Sequence, residues 1–364
     1  MAARPSSAMA HALSLVAPGT PLREGLERIL LAKRGALIVI GDDAAVLSVC
    51  TGGFLLDAEF SPQRVSELAK LDGAIIVSAD ARRIARANVH LMPDPSIPTS
   101  ETGTRHRTAE RVARSIDVPV ISVSAAMSVV TVYSRDEKHL LQPASRLHER
   151  VGQALATLQR FRHRFDQAVT ALSALEVEDT VTMHDVAAVL QPAELVCRIA
   201  EEIDAQLIEL GDEGRLLRLQ RDELLDGVED IRRLVVRDYV RNGAEKAAAG
   251  SHQDPTLALA GLARLSTEEL LDVRRVAAAL GMGHANGEGD HPVEPRGYRL
   301  LHRLPRFPEA IIDRIVEHFV GLQRIMRASV GELEEVGGVG EARARSVKDG
   351  LARLAEASIL DRYS

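Results

Sequence analysis

The stretch "GALIVIGD", residues 35–42, decides how the first third of the chain is read. A run of Ala, Leu, Ile and Val that ends in Gly-Asp is strand-like and runs into a turn. Before it, "LREGLERILLAK" (22–33) has apolar positions at helical spacing; after it, "AAVLSVCTGGF" (44–54) is a second strand-like run. "SPQRVSELAKL" (61–71) reads as a helix with Ser61 as N-cap and Pro62 at the first helical position. "GAIIVSAD" (73–80) and "RIARANVHLM" (83–92) read as two further strands, and a Pro-rich loop follows. "RTAERVARSI" (107–116) places Ala109, Val112, Ala113 and Ile116 on one helical face, and "VPVISVS" with "SVVTVYS" completes a sheet. Residues 1–142 thus read as a mixed-sheet α/β domain.

The pattern then changes to long amphipathic helices, which makes the fold multidomain, α/β followed by all-α. "PASRLHERVGQALATLQRFRHRFDQAVTALSAL", "ELVCRIAEEIDAQLIEL" and "LLRLQRDELLDGVEDIRRLVVRDYV" fill a helical spine over 143–290. Two Gly- and Pro-bearing segments, 241–255 and 281–297, read as mobile linkers. Residues 291–364 form a third domain, in which "LHRLPRFPEAIIDRIVEHF" and "VGELEEVGGVGEARARSVKDGL" each read as helix, short turn, helix.

Composition narrows the class of protein. With 364 residues there is room for two or three domains, and with 3% aromatics and no Trp the core is built of Ala, Leu, Val and Ile. No apolar run reaches the roughly 18–20 residues of a membrane span. The N-terminus is too short and broken for a signal peptide. Cys50 and Cys197 are isolated, without metal-type spacing, so the expectation is a reduced cytoplasmic protein with no membrane partner. The net charge of −7 is uneven: 18 basic and 16 acidic residues in 1–151, 15 and 25 in 152–290, 12 and 11 in 291–364. The global charge argues against a nucleic-acid coat, while a local phosphate-binding surface at either end is allowed.

In "LEEVGGVGEARARSVKDGL" (333–351) a helix ends at Val336, "GGVG" turns, and a second helix starts near Glu341. Gly338 and Gly340 permit φ > 0 and close backbone approach, and the new helix start favours an anion. Arg343, Arg345 and Lys348 lie on or beside that helix. The arrangement resembles the helix-hairpin-helix motif, which grips DNA backbone without reading sequence. The earlier copy, with "LPRFPE" at its turn, lacks the glycines and reads as a degenerate partner packed against the second. A dinucleotide fingerprint is disfavoured, because no strand precedes the glycines and the third is missing.

The first domain has no Walker A loop, kinase signature or Ser-His-Asp arrangement. It has "DGA" (72–74) opening a strand and "GTRHRTAER" (103–111) opening a helix. The second reads as an anion site: backbone N–H groups at a helix N-terminus, the hydroxyls of Thr104 and Thr108, and the donors of Arg105, His106 and Arg107. Asp72, at the edge of a sheet, is a hard carboxylate suited to Mg²⁺ or Mn²⁺ beside a polyphosphate.

Taken in order, "GALIVIGD", "DGA", "RHRTAER" and "VISVS" resemble the diadenylate cyclase family. The resemblance covers essentially the whole chain, in the form where a helical middle and a tandem helix-hairpin-helix end follow the cyclase domain. It implies condensation of two ATP into cyclic di-AMP with release of two pyrophosphates, across facing cyclase domains of a homo-octamer. It implies that Asp72 holds the Mg²⁺ or Mn²⁺ and activates the attacking 3′-hydroxyl, that Gly73 and Ala74 line the nucleotide, and that Leu91 packs near the base. Thr104, Arg105, His106, Arg107, Thr108 and Ser124 would hold phosphates. Some members follow that serine with arginines; here Ala125, Ala126 and Met127 follow, so that cationic contact is not carried over. Gly338, Val339 and Gly340, with Arg343, Arg345 and Lys348, would bind branched DNA. Such binding would lower synthesis in a nucleoid-associated, DNA-integrity checkpoint role. Two other readings compete: a junction-binding protein with an inactive nucleotide-sensing domain, and an ATP-dependent helicase or nuclease subunit, which the missing P-loop disfavours.

Overall fold

The computed structural model describes residues 5–241, 255–282, 291–305 and 307–362. Their contacts divide the chain into two units, one of residues 1–155 with 201–221 and one of 156–200 with 222–364.

The first unit is built on an eight-stranded sheet. Its strands are β1 (Ala36–Ile40), β2 (Cys50–Thr51), β3 (Phe54–Glu59), β4 (Ala74–Val77), β5 (Arg83–Leu91), β6 (Val120–Ser124), β7 (Val129–Ser134) and β8 (Glu137–Leu140). The order is β2-β5-β4-β1-β6-β7-β8, with β3 also paired to β5. β1 lies centrally, parallel to β4 and antiparallel to β6. All five of its residues are buried. Alternation along the strand explains this: Ala36, Ile38 and Ile40 enter one core and Leu37 and Val39 the other. The first core is covered by α1 (Ser7–Leu15), α2 (Pro21–Leu31) and α4 (Pro62–Leu68); the second by α5 (Thr104–Ile116), through Ala109, Val112 and Ala113. Ser61 caps α4 as its sequence predicts, its hydroxyl accepting from the Arg64 N–H at 3.2 Å.

Three elements depart from the sequence reading. Residues 44–48 are not strand but a short helix, α3 (Ala44–Ser48), because the Asp43 carboxylate accepts from the Val46 N–H at 2.9 Å and starts a turn. The pairing resumes only at Cys50 and Phe54. β4 lies between β1 and β5, so "DGA" opens an interior strand and Asp72 stands at a strand end, not on a sheet edge. β8 carries no strand signal in the sequence, since "EKHL" is polar and mostly exposed.

The helical part comprises α6 (Ala144–Glu178), α7 (Met183–Leu210), α8 (Arg215–Leu225) and α9 (Val228–Tyr239), then α10 (Pro255–Arg264), α11 (Thr267–Leu271) and α12 (Val273–Ala279). The sequence over 216–240 read as one helix; it breaks at Gly227, whose φ is +71°, and Arg162 secures the break by donating to the carbonyls of Leu224 (2.9 Å) and Asp226 (2.6 Å). Of the two expected mobile linkers, 242–254 and 283–290 lie outside the described residues. Residues 291–297 are held in place: the Val293 N–H donates to Val181, the Met183 N–H to His291, and the buried Asp238 carboxylate accepts from the N–H groups of Gly297, Tyr298 and Arg299 at 2.7, 2.6 and 2.9 Å. Asp238 thereby supplies the cap that α13 (Tyr298–His302) lacks in its own sequence. The Arg299 side chain is buried against Glu176, which also accepts from Tyr239 at 2.8 Å, so the buried charges are paired.

The last part is helical: α13, α14 (Glu309–Phe319), α15 (Leu322–Arg327), α16 (Val330–Glu334) and α17 (Glu341–Arg362). Leu304, Ile311, Ile312 and Ile315 share one core with Val336, Val339, Ala344 and Val347, so the two helix-turn-helix copies do pack together. α16 ends at Glu334, two residues before the expected Val336. Among the described residues no helix is long and apolar enough to cross a membrane.

Candidate functional site

α5 presents an open N-terminus. Gly103, at its N-cap, provides no side-chain hydrogen bond, so the first N–H groups of a 13-residue helix lack a side-chain partner. Thr104, Arg105 and Arg107 are exposed; His106 and Thr108 are half-buried. The helix start is fixed from behind by the Pro-rich loop. Glu110 is buried, and its carboxylate accepts from the Thr99 hydroxyl (2.5 Å) and the Ser100 N–H (3.1 Å). Arg111 donates to the Ile97 carbonyl at 2.9 Å and Arg114 to that of Pro98 at 2.5 Å. Glu110 and Arg111 therefore staple the loop to the helix.

Arg105 turns toward β1. Its guanidinium occupies the space a side chain on Gly35 would take, with Cζ 3.2 Å from that position, and its Nη2 lies 4.0 Å from Asp72 Oδ1. Gly35 is thus a site residue that sequence reasoning missed; the available signal was a glycine directly before the central strand. The Asp72 side chain is 99% exposed, free to meet a ligand. Gly73, in contrast, is demanded by the fold. Its φ is +97°, and a Cβ there would lie 2.8 Å from the Val89 carbonyl oxygen and 3.0 Å from the Val89 nitrogen, so the close approach is to β5 of its own sheet. Ala74 is fully buried in the core on the α5 side of the sheet, so its side chain is closed to a ligand. Leu91 is half-buried at the end of β5, packed against that same core. Ser124 is half-buried at the end of β6, where its hydroxyl accepts from the Met127 N–H at 3.4 Å.

His106 is held from below. Its Nδ1 lies 2.8 Å from the Tyr133 hydroxyl, which donates to Glu101 Oε1 at 3.1 Å, and Lys138 donates to the same oxygen at 3.0 Å. Burial acts to raise the Glu101 pKa, but the hydrogen bonds from Lys138 and Tyr133 outweigh it and hold it below the ordinary value. Burial and then the Glu101 charge push the Tyr133 phenol well above its ordinary value, so it stays neutral.

Among the described residues no group of three or more His, Cys, Asp and Glu side chains is placed to hold a metal. A lone exposed carboxylate suits a hard cation that arrives with phosphate and keeps water ligands.

At the other end, the "GGVG" turn is formed as read, but its groups are used differently. Gly338 has φ +90°, whereas Gly340 is not in the left-handed region, and a Cβ there would meet nothing within 4 Å. Val339 is buried in the core. Arg343 donates to the Gly338 carbonyl at 2.7 Å, Arg345 pairs with Glu341, and Lys348 donates to the Met326 carbonyl at 2.7 Å.

Comparison with known proteins places these features in a family. Residues 23–138 match the family described as DisA bacterial checkpoint controller nucleotide-binding, and residues 141–288 the DisA bacterial checkpoint controller linker region. The DNA integrity scanning protein DisA of Streptomyces coelicolor is 54% identical over 355 residues, covering 98% of this chain and 94% of that protein. Those of Acidothermus cellulolyticus (54%, 96% and 94%) and Kineococcus radiotolerans (51%, 99% and 98%) are similar over the same extent. The chain belongs to the DisA family of bacterial checkpoint controllers, and its nucleotide-binding domain is a diadenylate cyclase.

Proposed function

We propose that the α5 N-terminus and Asp72 form one half of an ATP site that is completed by a facing copy of the chain. The observation that carries this reading is the open helix start at Gly103–Thr108, whose Arg105 reaches to within 4.0 Å of an exposed Asp72 carboxylate. Thr104, Arg105, His106, Arg107, Thr108 and Ser124 hold phosphate oxygens, and Leu91 packs beside the base. In each half-reaction the 3′-oxygen of one nucleotide bonds to the α-phosphorus of the other, pyrophosphate leaves, and the hydroxyl proton is lost. Repeating this closes the ring. The positively charged donors at the helix start stabilise the charge that grows on the departing pyrophosphate. The family works with a divalent metal; Asp72 is the residue that would hold it, as Mg²⁺ or Mn²⁺, and the metal would supply charge neutralisation at the α-phosphate.

We further propose the division into a cyclase domain (1–142), a helical spine (143–290) and a helix-hairpin-helix domain (291–364) in a homo-octamer. The last domain would bind branched DNA near the nucleoid and lower synthesis when it does. The φ of +90° at Gly338 and its exposed turn support that reading. The test is formation of cyclic di-AMP from ATP with Mg²⁺ or Mn²⁺, with and without a four-way DNA junction. Equal output in both arms would remove the regulatory part, and no product would remove the catalytic assignment.

A further inference from the structure

We infer that Glu101 and Tyr133 are positioning residues for this reaction: together they fix the proton on Nδ1 of His106 and turn its Nε2 edge to the phosphates at the α5 N-terminus. The inference rests on the reading of His106 as a phosphate donor. Proton counting carries the first half. An ionised carboxylate only accepts, so the single Tyr133 proton goes to Glu101 at 3.1 Å. The phenol oxygen then has only lone pairs to offer His106 at 2.8 Å, and Nδ1 must be the protonated nitrogen. Lys138, at 3.0 Å from Glu101, favours the ionised carboxylate on which this count depends.

The second half is orientation. The His106 ring stands edge-on to Tyr133, centroids 6.2 Å apart at 64°. Its Cδ2, the carbon bonded to Nε2, lies 3.6 Å from where a side chain on Gly103 would begin. The edge opposite Tyr133 therefore faces the N-cap of the helix. Tyr133 cannot drift: it is 1% exposed, sits in register between Val120 and Lys138, and packs in the same core as Ala109, Val112 and Ala113. The charged groups around it are Glu101, Glu110 and Lys138. With Nδ1 donating to Tyr133, His106 can donate to a phosphate from Nε2 only as the imidazolium, a charged donor with both nitrogens committed. Backbone N–H groups and Thr104 already serve the bound nucleotide. The fixed imidazole adds most where charge develops on the leaving pyrophosphate, so the effect belongs in turnover more than in binding.

The experiment uses the full chain and follows cyclic di-AMP formation, together with equilibrium binding of a non-hydrolysable ATP analogue. Loss of one orienting hydrogen bond predicts that Tyr133→Phe lowers kcat about tenfold while the analogue Kd stays within about twofold. Glu101→Gln, which keeps the tyrosine in place, should lower kcat about fivefold and carries the test if Tyr133→Phe does not fold. In a His106→Ala background Tyr133→Phe should add less than about twofold, because the residue it positions is gone. Wild-type turnover in Tyr133→Phe or Glu101→Gln, or an undiminished effect in the His106→Ala background, would overturn the proposal alone. Wild-type turnover in His106→Ala would overturn the reading of His106 itself, and the proposal with it.

Discussion

Two helix starts in this chain look alike as sequence: Gly103-Thr-Arg-His-Arg and Gly340-Glu-Ala-Arg-Ala-Arg. Both place a glycine before a helix start that carries arginines. At α5 no side chain caps the helix, and Arg105 projects over Gly35 toward Asp72. At α17 the cations already have partners: Arg343 on the Gly338 carbonyl, Arg345 on Glu341, Lys348 on the Met326 carbonyl. Counting basic residues therefore overstates the charge on offer at α17. An anion there must exchange one partner for another, while at α5 it meets donors that are waiting. Exchange is still cheap, since exposed pairs of this sort are worth about 0–1 kcal/mol.

The largest effect lies at the waiting site. Asp72→Asn should reduce cyclic di-AMP formation at least about a hundredfold, the order expected when a metal-holding carboxylate is neutralised. Its side chain is 99% exposed, so the thermal unfolding midpoint and junction-DNA binding should not move. Loss of stability or of DNA binding would make Asp72 a structural residue and blur the contrast between the two ends.

The glycine beside it tests the fold rather than the chemistry. Gly73→Ala puts a methyl group at φ +97° against the β5 backbone, and about 2–3 kcal/mol of unfolding free energy should be lost in a urea titration. Gly35→Ala separates the two roles. The methyl group displaces the flexible end of Arg105 and lies 3.2 Å from the Val123 carbonyl oxygen, a milder conflict than at Gly73, so the stability loss should stay near about 1 kcal/mol while turnover falls about tenfold. If Gly35→Ala turned over at the wild-type rate, Arg105 would not need its present path.

What the sequence made legible, and what it hid, follows the range of the forces involved. β1, β4, β6 and β7 are readable because buried strands are written as local runs of Val and Ile, and β5 because apolar and polar residues alternate over Arg86–Leu91. The α4 cap was readable because Ser-Pro is a local signal. Residues 44–48 misled because Val46 and Val49 suggest a strand, yet Asp43 held the cap signal three residues ahead. Glu110, Tyr133 and Gly35 were illegible for one reason: each acts on a partner brought to it by the fold. Thr99 reaches Glu110 across 11 positions, Tyr133 meets His106 across 27, and Arg105 comes to Gly35 from 70 positions on in the chain. The "GGVG" turn is legible as a turn, but which glycine takes the positive φ is not: only Gly338 does, and two glycines two residues apart look interchangeable in one dimension.

That difference between the two glycines sets the smallest and sharpest test of the comparison. Gly340→Ala should leave stability unchanged within about 0.5 kcal/mol, since the added methyl group meets nothing within 4 Å and the backbone is already outside the left-handed region. If DNA phosphate approaches that open face, as proposed, the same methyl group intrudes on it and junction affinity should fall about threefold to tenfold. Arg343→Ala should act more weakly. It removes a cation that must first leave the Gly338 carbonyl, so affinity should drop only about threefold, and the slope of log affinity against log salt should shrink by about one. Both variants should make cyclic di-AMP at the wild-type rate in the absence of DNA. A salt slope unchanged by Arg343→Ala, together with unaltered binding by Gly340→Ala, would mean that the α17 start keeps its cations for itself. The DNA surface would then have to be sought elsewhere, leaving α5 as the chain's one helix start, of these two, built for an anion.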